Sequence, residues 1–290
     1  MTGVPSFVDR RGVRIVVHEW LVDEPRAIVQ LSHGVGEHAR RYAALARDLN
    51  AAGFAVVADD HRGHGETGRG QWAAAPERMG RLGPGGLRAA VDAVHEYSAI
   101  VRREHPGTPL VLLGHSWGSL MAQIDVNRHA ADYDGLVLSG TAYRLPGFMD
   151  GGDLNRKHAH LGATGAEWLS RDPAVAEAWV ADPLTFPADV RKLFGLREGL
   201  RLFGRPARGL PADLPVLLQA GGDDTLGGER SVHRLARAYR ERSGIRDVTV
   251  RVYPGARHEV YNETNRDEVI ADLVGWLEGR VLTRRTRRTG

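Results

Sequence analysis

Residues 110–118 narrow the possible folds of this chain further than any other stretch. Leu110-Val-Leu-Leu meets Gly114-His-Ser-Trp-Gly118, and Ser119-Leu-Met-Ala-Gln-Ile continues with the composition of a helix. An apolar run of strand length that ends at a glycine fits a strand covered on both faces, as in a parallel sheet packed between helices. The same alternation recurs along the chain. Residues 27–32, 54–59, 135–139, 216–220 and 248–253 have strand character, and an opening strand or hairpin covers about residues 13–20. Between them, Tyr42, Leu45 and Leu49 share one helical face before Gly53, and Leu87, Val91, Val94 and Val101 share another before Pro106. That second helix must stop short of Pro106, because proline lacks the N–H and its ring collides with the preceding turn. Helices are also expected at 117–129, 232–242 and 268–279. The pattern predicts an α/β fold, with a mostly parallel central sheet and helices on both faces.

The alternation stops once. From Thr141 to about Pro211, glycine, proline and aromatic residues cluster without a strand. This segment is expected to be an inserted, mainly helical cap over the sheet. The organisation is then core 1–140, cap 141–211, core 212–280 and a basic tail 281–290 expected to be disordered. An apolar fraction of 42% with 26% charged residues is enough for one such core. No stretch approaches the roughly 18 consecutive apolar residues of a membrane span, and the first ten residues hold no signal-like apolar run. No integral membrane segment is therefore expected, and a cytoplasmic location is. The net charge is only +3 and the basic residues outside the tail are dispersed, which argues against nucleic acid as a partner. With no cysteine, disulfides, thiolate metal sites and a cysteine nucleophile are excluded together.

Residues 114–118 have the form G-x-S-x-G, an elbow at which a strand turns sharply into a helix and holds a serine hydroxyl above the sheet. With 36 glycines in 290 residues, chance alone supplies roughly 0.14 such strings. The strand before it and the helix after it are what make Ser116 the candidate nucleophile. Ser32-His-Gly-Val-Gly36 also follows an apolar run, where an elbow of this kind finds one of two backbone amides for an oxyanion. Val35 is the candidate donor there; Trp117, at a helix N-terminus, is the other. Thirteen histidines compete for the role of base. His258 is selected by position, because it follows the last strand by a short loop and completes the order serine, acid, histidine. The acid lies in Gly221-Gly-Asp223-Asp224, where adjacent side chains diverge and only one can face the histidine. His233 is expected to be a solvated helix residue. Neither His33 with His38 nor Asp59-Asp60-His61-Arg62-Gly63-His64 has an established zinc spacing, so no metal is expected. His61 and Asp60 are expected to order the loop in which they lie.

Together these strings resemble the monoacylglycerol lipase and lysophospholipase branch of the α/β hydrolases, over nearly the whole chain. His33-Gly-Val-Gly-Glu-His38 with Arg41-Tyr42 is similar to that branch's oxyanion loop, and Asp60-His-Arg-Gly-His-Gly65 to its next loop. Residues 114–118 are similar to its elbow, and Tyr253-Pro-Gly-Ala-Arg-His-Glu259 to its histidine loop. The resemblance implies the α/β-hydrolase fold with a mobile cap, and it selects Asp224 as the acid. In that branch the acid stands three residues beyond a glycine with an apolar residue two further on, as in Gly221, Asp224 and Leu226. Asp223 would then cap backbone amides of the turn. Trp117 stands where the branch often has a small or flexible residue, which would narrow the acyl pocket. Thr225 stands where the acid is often followed by proline.

The implied activity is hydrolysis of monoacyl esters of glycerol or of lysophospholipids through an acyl-enzyme on Ser116, with no cofactor. The substrate would be a small ester with an apolar acyl chain. Amide or thioester cleavage by the same triad, and non-catalytic binding, are the competing functions. Of Phe148, Met149, Trp168, Trp179, Phe186, Leu193 and Phe194, most are expected to form a small core within the cap and the rest to line a pocket.

Overall fold

The computed structural model describes residues 5–211 and 214–283. Strands β1 (Ser6–Val8) and β2 (Arg14–Trp20) form the opening hairpin. They are followed by β3 (Ile28–Ser32), α1 (Ala43–Ala51), β4 (Ala55–Asp59), α2 (Gly65–Gln71), α3 (Gly86–Glu104), β5 (Leu110–His115), α4 (Trp117–His129) and β6 (Gly135–Ser139). The insertion carries α5 (Pro173–Ala181) and α6 (Val190–Leu200), and β7 (Val216–Gly221), α7 (Gly228–Glu241), β8 (Val248–Tyr253) and α8 (Arg266–Trp276) complete the core. All eight strands lie in one sheet in the order β1-β2-β4-β3-β5-β6-β7-β8. Only the β1–β2 and β2–β4 pairs are antiparallel.

Period-two alternation on the central strand explains why both faces must be covered. Leu110 and Leu112 of β5 join one buried cluster with Val94 and Tyr97 of α3 and Val126 of α4. Val111 and Leu113 enter the other, with Leu45 and Leu49 of α1 and Leu273 of α8. Each such fully buried side chain contributes about 1.5–3 kcal/mol relative to exposure. The register then sets the site, because Gly114 of β5 lies beside Ser32 of β3 and His115 beside Ser139 of β6. The loops holding Gly34, Ser116, Gly140, Asp224 and His258 all leave the carboxyl ends of parallel strands, the edge where open α/β sheets bind ligands.

Three expectations need correction. Helix α2 was not expected, since Gly65, Gly68 and Gly70 weaken any helical signal. Its first turn is held from outside, by Asp60 Oδ2 accepting the Glu66 N–H at 2.8 Å. Residues 281–283, expected to belong to a disordered tail, continue the last helix instead: a wider turn runs over Leu277–Leu282 and buries Val281. Residues 284–290 of that expected tail lie outside the described residues. Finally, the insertion does not gather most of its apolar residues into a core of its own. Trp168 and Trp179 form a small cluster with Ala166, Leu169 and Ala176. Phe148, Met149, Leu193 and Phe194 pack instead against the core cluster that also holds Val94 of α3 and Val126 of α4. Among the described residues no helix is long and apolar enough to cross a membrane.

Candidate active site

Ser116 sits at the turn from β5 to α4 with φ 52° and ψ −123°. Among the described residues only Glu24 and Ser116 have positive φ without being glycine. This strained backbone is the signature of a nucleophile elbow. The glycines on either side are required by contact: a Cβ on Gly114 would lie 2.6 Å from Ser119 Cα, and one on Gly118 would overlap the Ser32 carbonyl oxygen. The Ser116 N–H donates to Ser139 O at 3.0 Å, tying the elbow to β6. Trp117, as the first residue of α4, has an amide with no intrahelical acceptor.

His258 lies in the loop after β8 and is 1% exposed. Its Nδ1 is 2.9 Å from Asp224 Oδ1, and the Asp224 side chain is fully buried. A carboxylate only accepts, so Nδ1 carries the proton and Nε2 keeps a lone pair. That Nε2 is buried and has no hydrogen-bond partner among the described residues. Burial disfavours the charged imidazole, but the charge and hydrogen bond of Asp224, aided by Glu259 and Glu37, raise its pKa above the ordinary value. Gly140 connects the two candidates, since a Cβ there would be 3.1 Å from His258 Cε1 while the preceding Ser139 carbonyl holds Ser116. His115, beside the serine, is pushed down to about 3 by burial and by facing His258.

Asp223 is a different kind of residue from its neighbour. Its carboxylate does not cap the turn as expected; it is half-exposed and pairs with Lys157 Nζ at 2.9 Å. The capping role belongs to Asp224, whose Oδ1 also accepts the Leu226 N–H at 2.9 Å. The sheet edge turns the two side chains apart, inward at 224 and outward at 223.

In the loop after β3, a Cβ on Gly34 would be 3.0 Å from Ser116 Cβ and 2.6 Å from Glu37 Oε1. Gly34 N–H donates to that oxygen at 2.5 Å. Glu37, Arg41 and Glu259 form a buried network next to His258, and burial opposes the charge of Glu259 but Arg41 holds it down at about 2. Their part in the site was not legible beyond the resemblance, although the four-residue spacing of Glu37 and Arg41 is an ion-pair signal.

The insertion touches both loops. Trp168 lies against His258 with ring centroids 4.6 Å apart and the rings tilted by 35°, and Trp168 O and Leu169 O accept the His258 and Glu259 amides at 3.3 and 2.7 Å. Arg257 Nη1 donates to the carbonyls of Glu167 and Ser170, and Arg171 pairs with Glu263 at 2.8 Å. On the other side Phe186 N–H donates to Gly36 O at 2.9 Å, and His38 pairs with Asp182 at 2.8 Å. Between these contacts opens a cavity of about 670 Å³, walled in one part by Leu154, Trp168, Trp179, Phe186, Pro187 and Ala188 and in another by polar residues that include Asp153, Asn155, Thr164, Thr185, Asp189 and Arg191.

Other histidines lie away from Ser116 or are held by their own partners. His61 bridges Asp59 and Ser32, and Asp60 accepts the Ala39 and Glu66 amides, which orders their loop as expected. His233 is exposed on α7. His95, His129 and Asp132 come together at the end of α4 opposite Ser116. Their ligand atoms lie within 4.8 Å of one another, and the two rings stack 3.6 Å apart at 15°.

The family model described as serine aminopeptidase, S33, matches residues 23–265. A monoacylglycerol lipase of Mycolicibacterium smegmatis is 33% identical, over 94% of this chain and 95% of that protein. The human monoglyceride lipase is 27% identical over 97% and 92% respectively. Among solved structures, a thermostable carboxyl esterase from Bacillus coagulans in complex with glycerol superposes with a TM-score of 0.82 at 28% identity, covering 96% of this chain and 98% of that one. Family match, full-length relatives and fold agree with the resemblance carried by the four loop strings: the chain belongs to the serine aminopeptidase S33 family and is a hydrolase of the monoacylglycerol lipase-like branch of the α/β hydrolases.

Proposed function

We propose that this protein hydrolyses carboxylic esters through an acyl-enzyme on Ser116, with His258 as base and Asp224 as the orienting acid. The observation that carries this is the buried Nδ1–Oδ1 contact of 2.9 Å, which leaves His258 Nε2 basic at the sheet edge where the strained Ser116 elbow stands. His258 Nε2 takes the proton of Ser116 Oγ as the oxygen attacks the ester carbonyl, and the amides of Val35 and Trp117 receive the developing oxyanion. The imidazolium returns the proton to the leaving alcohol, and water then clears the acyl group by the same steps in reverse roles.

The segment 141–211 acts as a cap, and its cavity takes an apolar acyl chain such as that of a monoacylglycerol or lysophospholipid. The aromatic and aliphatic part of its wall supports this, as do full-length relatives named as lipases and a carboxyl esterase. The family description names an aminopeptidase, so an aminoacyl anilide belongs in the same assay as an ester. A fluorophosphonate probe is expected to label the wild type at Ser116 and not the Ser116→Ala variant. Undiminished labelling of that variant would remove Ser116 from the reaction.

A further inference from the structure

We infer that Arg41 is a positioning residue that clamps the oxyanion loop to the histidine loop, holding the Val35 amide and the His258 base in fixed register about the scissile carbonyl. The inference rests on the roles proposed above for Val35 and His258. Arg41 Nη1 donates to Glu37 Oε2 at 2.6 Å and to Glu259 Oε1 at 2.7 Å, while Nη2 donates to Glu259 Oε2 at 2.9 Å. Glu259 is the residue after the base, and Glu37 lies in the loop after β3. One side chain therefore joins two loops that are 218 residues apart in the chain.

The carboxylates are as fully used as the guanidinium. Glu37 Oε1 accepts the Gly34 N–H at 2.5 Å and the Tyr42 hydroxyl at 2.7 Å, and Glu259 Oε2 also accepts from Asn262 at 2.8 Å. Trp179 covers the guanidinium at 4.6 Å and keeps water from it. Only a planar fork can make two parallel bonds to one carboxylate and a third to another; an ammonium is a point charge that cannot. The Glu37 end of the clamp reaches the reacting centre directly. It grips the Gly34 peptide, and Gly34 is so close to Ser116 that a Cβ would stand 3.0 Å from the nucleophile's own Cβ. A loop gripped there presents Val35 N–H in one direction. Burying three charged groups is costly, and apolar side chains of similar size would fill the space at less cost. What they would not supply is a fixed orientation of the Gly34 peptide relative to His258.

The test compares Arg41→Lys, Glu37→Gln and Glu37→Ala with wild type, each checked for a cooperative melt well above the assay temperature. With a p-nitrophenyl ester as substrate, Arg41→Lys is expected to lose about ten- to a hundredfold in kcat, the scale of a misplaced reacting group. KM should change little, since the interaction lost is made in the transition state. Glu37→Gln keeps an acceptor for the Gly34 amide and should retain more kcat than Glu37→Ala. If Arg41→Lys does not fold, the Glu37 pair makes the same comparison. A folded Arg41→Lys with kcat within about twofold of wild type, or a raised KM at unchanged kcat, would overturn the clamp and leave the triad standing. A wild type that the fluorophosphonate probe does not label would instead overturn the proposed roles, and the clamp with them.

Discussion

Asp224→Asn is the substitution whose effect the geometry defines most tightly. Asp224 Oδ1 accepts two donors, the Leu226 N–H and the His258 Nδ1–H, both at 2.9 Å. An asparagine must keep its oxygen at that position to satisfy the Leu226 amide, so its nitrogen goes to the place of Oδ2, which has no partner. The histidine tautomer is then preserved, and what is lost is the charge that stabilises the imidazolium. With charge centres about 4 Å apart and an effective dielectric constant of about 20, that loss is about 4 kcal/mol, or about 10³ in kcat. A flipped amide would add the wrong tautomer and carry the loss toward about 10⁴, the scale of the serine-protease triad. Asp223→Asn breaks only a bridge whose partners are 57% and 48% exposed, and such bridges contribute at most about 1 kcal/mol to stability. Its kcat should stay within about twofold of wild type. Steady-state hydrolysis of a p-nitrophenyl ester by the two variants decides the matter. An Asp224→Asn enzyme within tenfold of wild type, or the reverse ranking, refutes the assignment of the acid.

As the proposed base, His258 must be neutral to accept a proton, and Asp224 raises its pKa against the opposing effect of burial, so kcat/KM should fall as pH drops through a point above the ordinary histidine value of about 6.5; in Asp224→Asn this limb should move to lower pH, and a stationary limb would assign it to another group. Gly118→Ala should destabilise the fold at the upper end of about 1–3 kcal/mol and abolish activity, because the added Cβ meets backbone oxygens of Ser32 and His33 that cannot move aside; thermal melts and ester hydrolysis read both effects. Across esters from acetyl to octanoyl, kcat/KM should rise by up to about fourfold per methylene as each buries about 0.8 kcal/mol, and a flat profile would exclude the apolar cavity as the acyl site.

The parts of this molecule that follow local rules were legible in the chain. The strand expected at 110–114 is Leu110–His115, and those expected at 135–139 and 248–253 have those bounds, because a short apolar or alternating run bounded by glycine or proline on at least one side leaves little choice. Ser116 was legible because an elbow needs glycines at fixed offsets. Helix α2 was not, since its glycines weaken the local signal and its first turn is held by the Asp60 carboxylate, which also binds His18 and the Ala39 amide outside the helix. Asp223 was misread for a related reason: a cap and an ion pair both suit an aspartate in a turn, and the deciding neighbour, Lys157, comes from the insertion. The clamp through Arg41 depends on Glu259, more than two hundred residues away, and no local pattern announces such a meeting.

The insertion has one strip, residues 166–171, bonded to the histidine loop and another, residues 182–186, bonded to the oxyanion loop. A shortened chain that lacked this segment would therefore not be the same catalyst with its entrance widened. It would have lost the outer supports of the loop that holds His258 and of the loop that holds Val35 together, and the proposed base and anion site would both be slack. Exchange of specificity between relatives meets the same limit. A graft that retains the two strips and replaces α6 beyond them should change which molecules enter, whereas a graft that cuts through either strip should change how well the bond is broken.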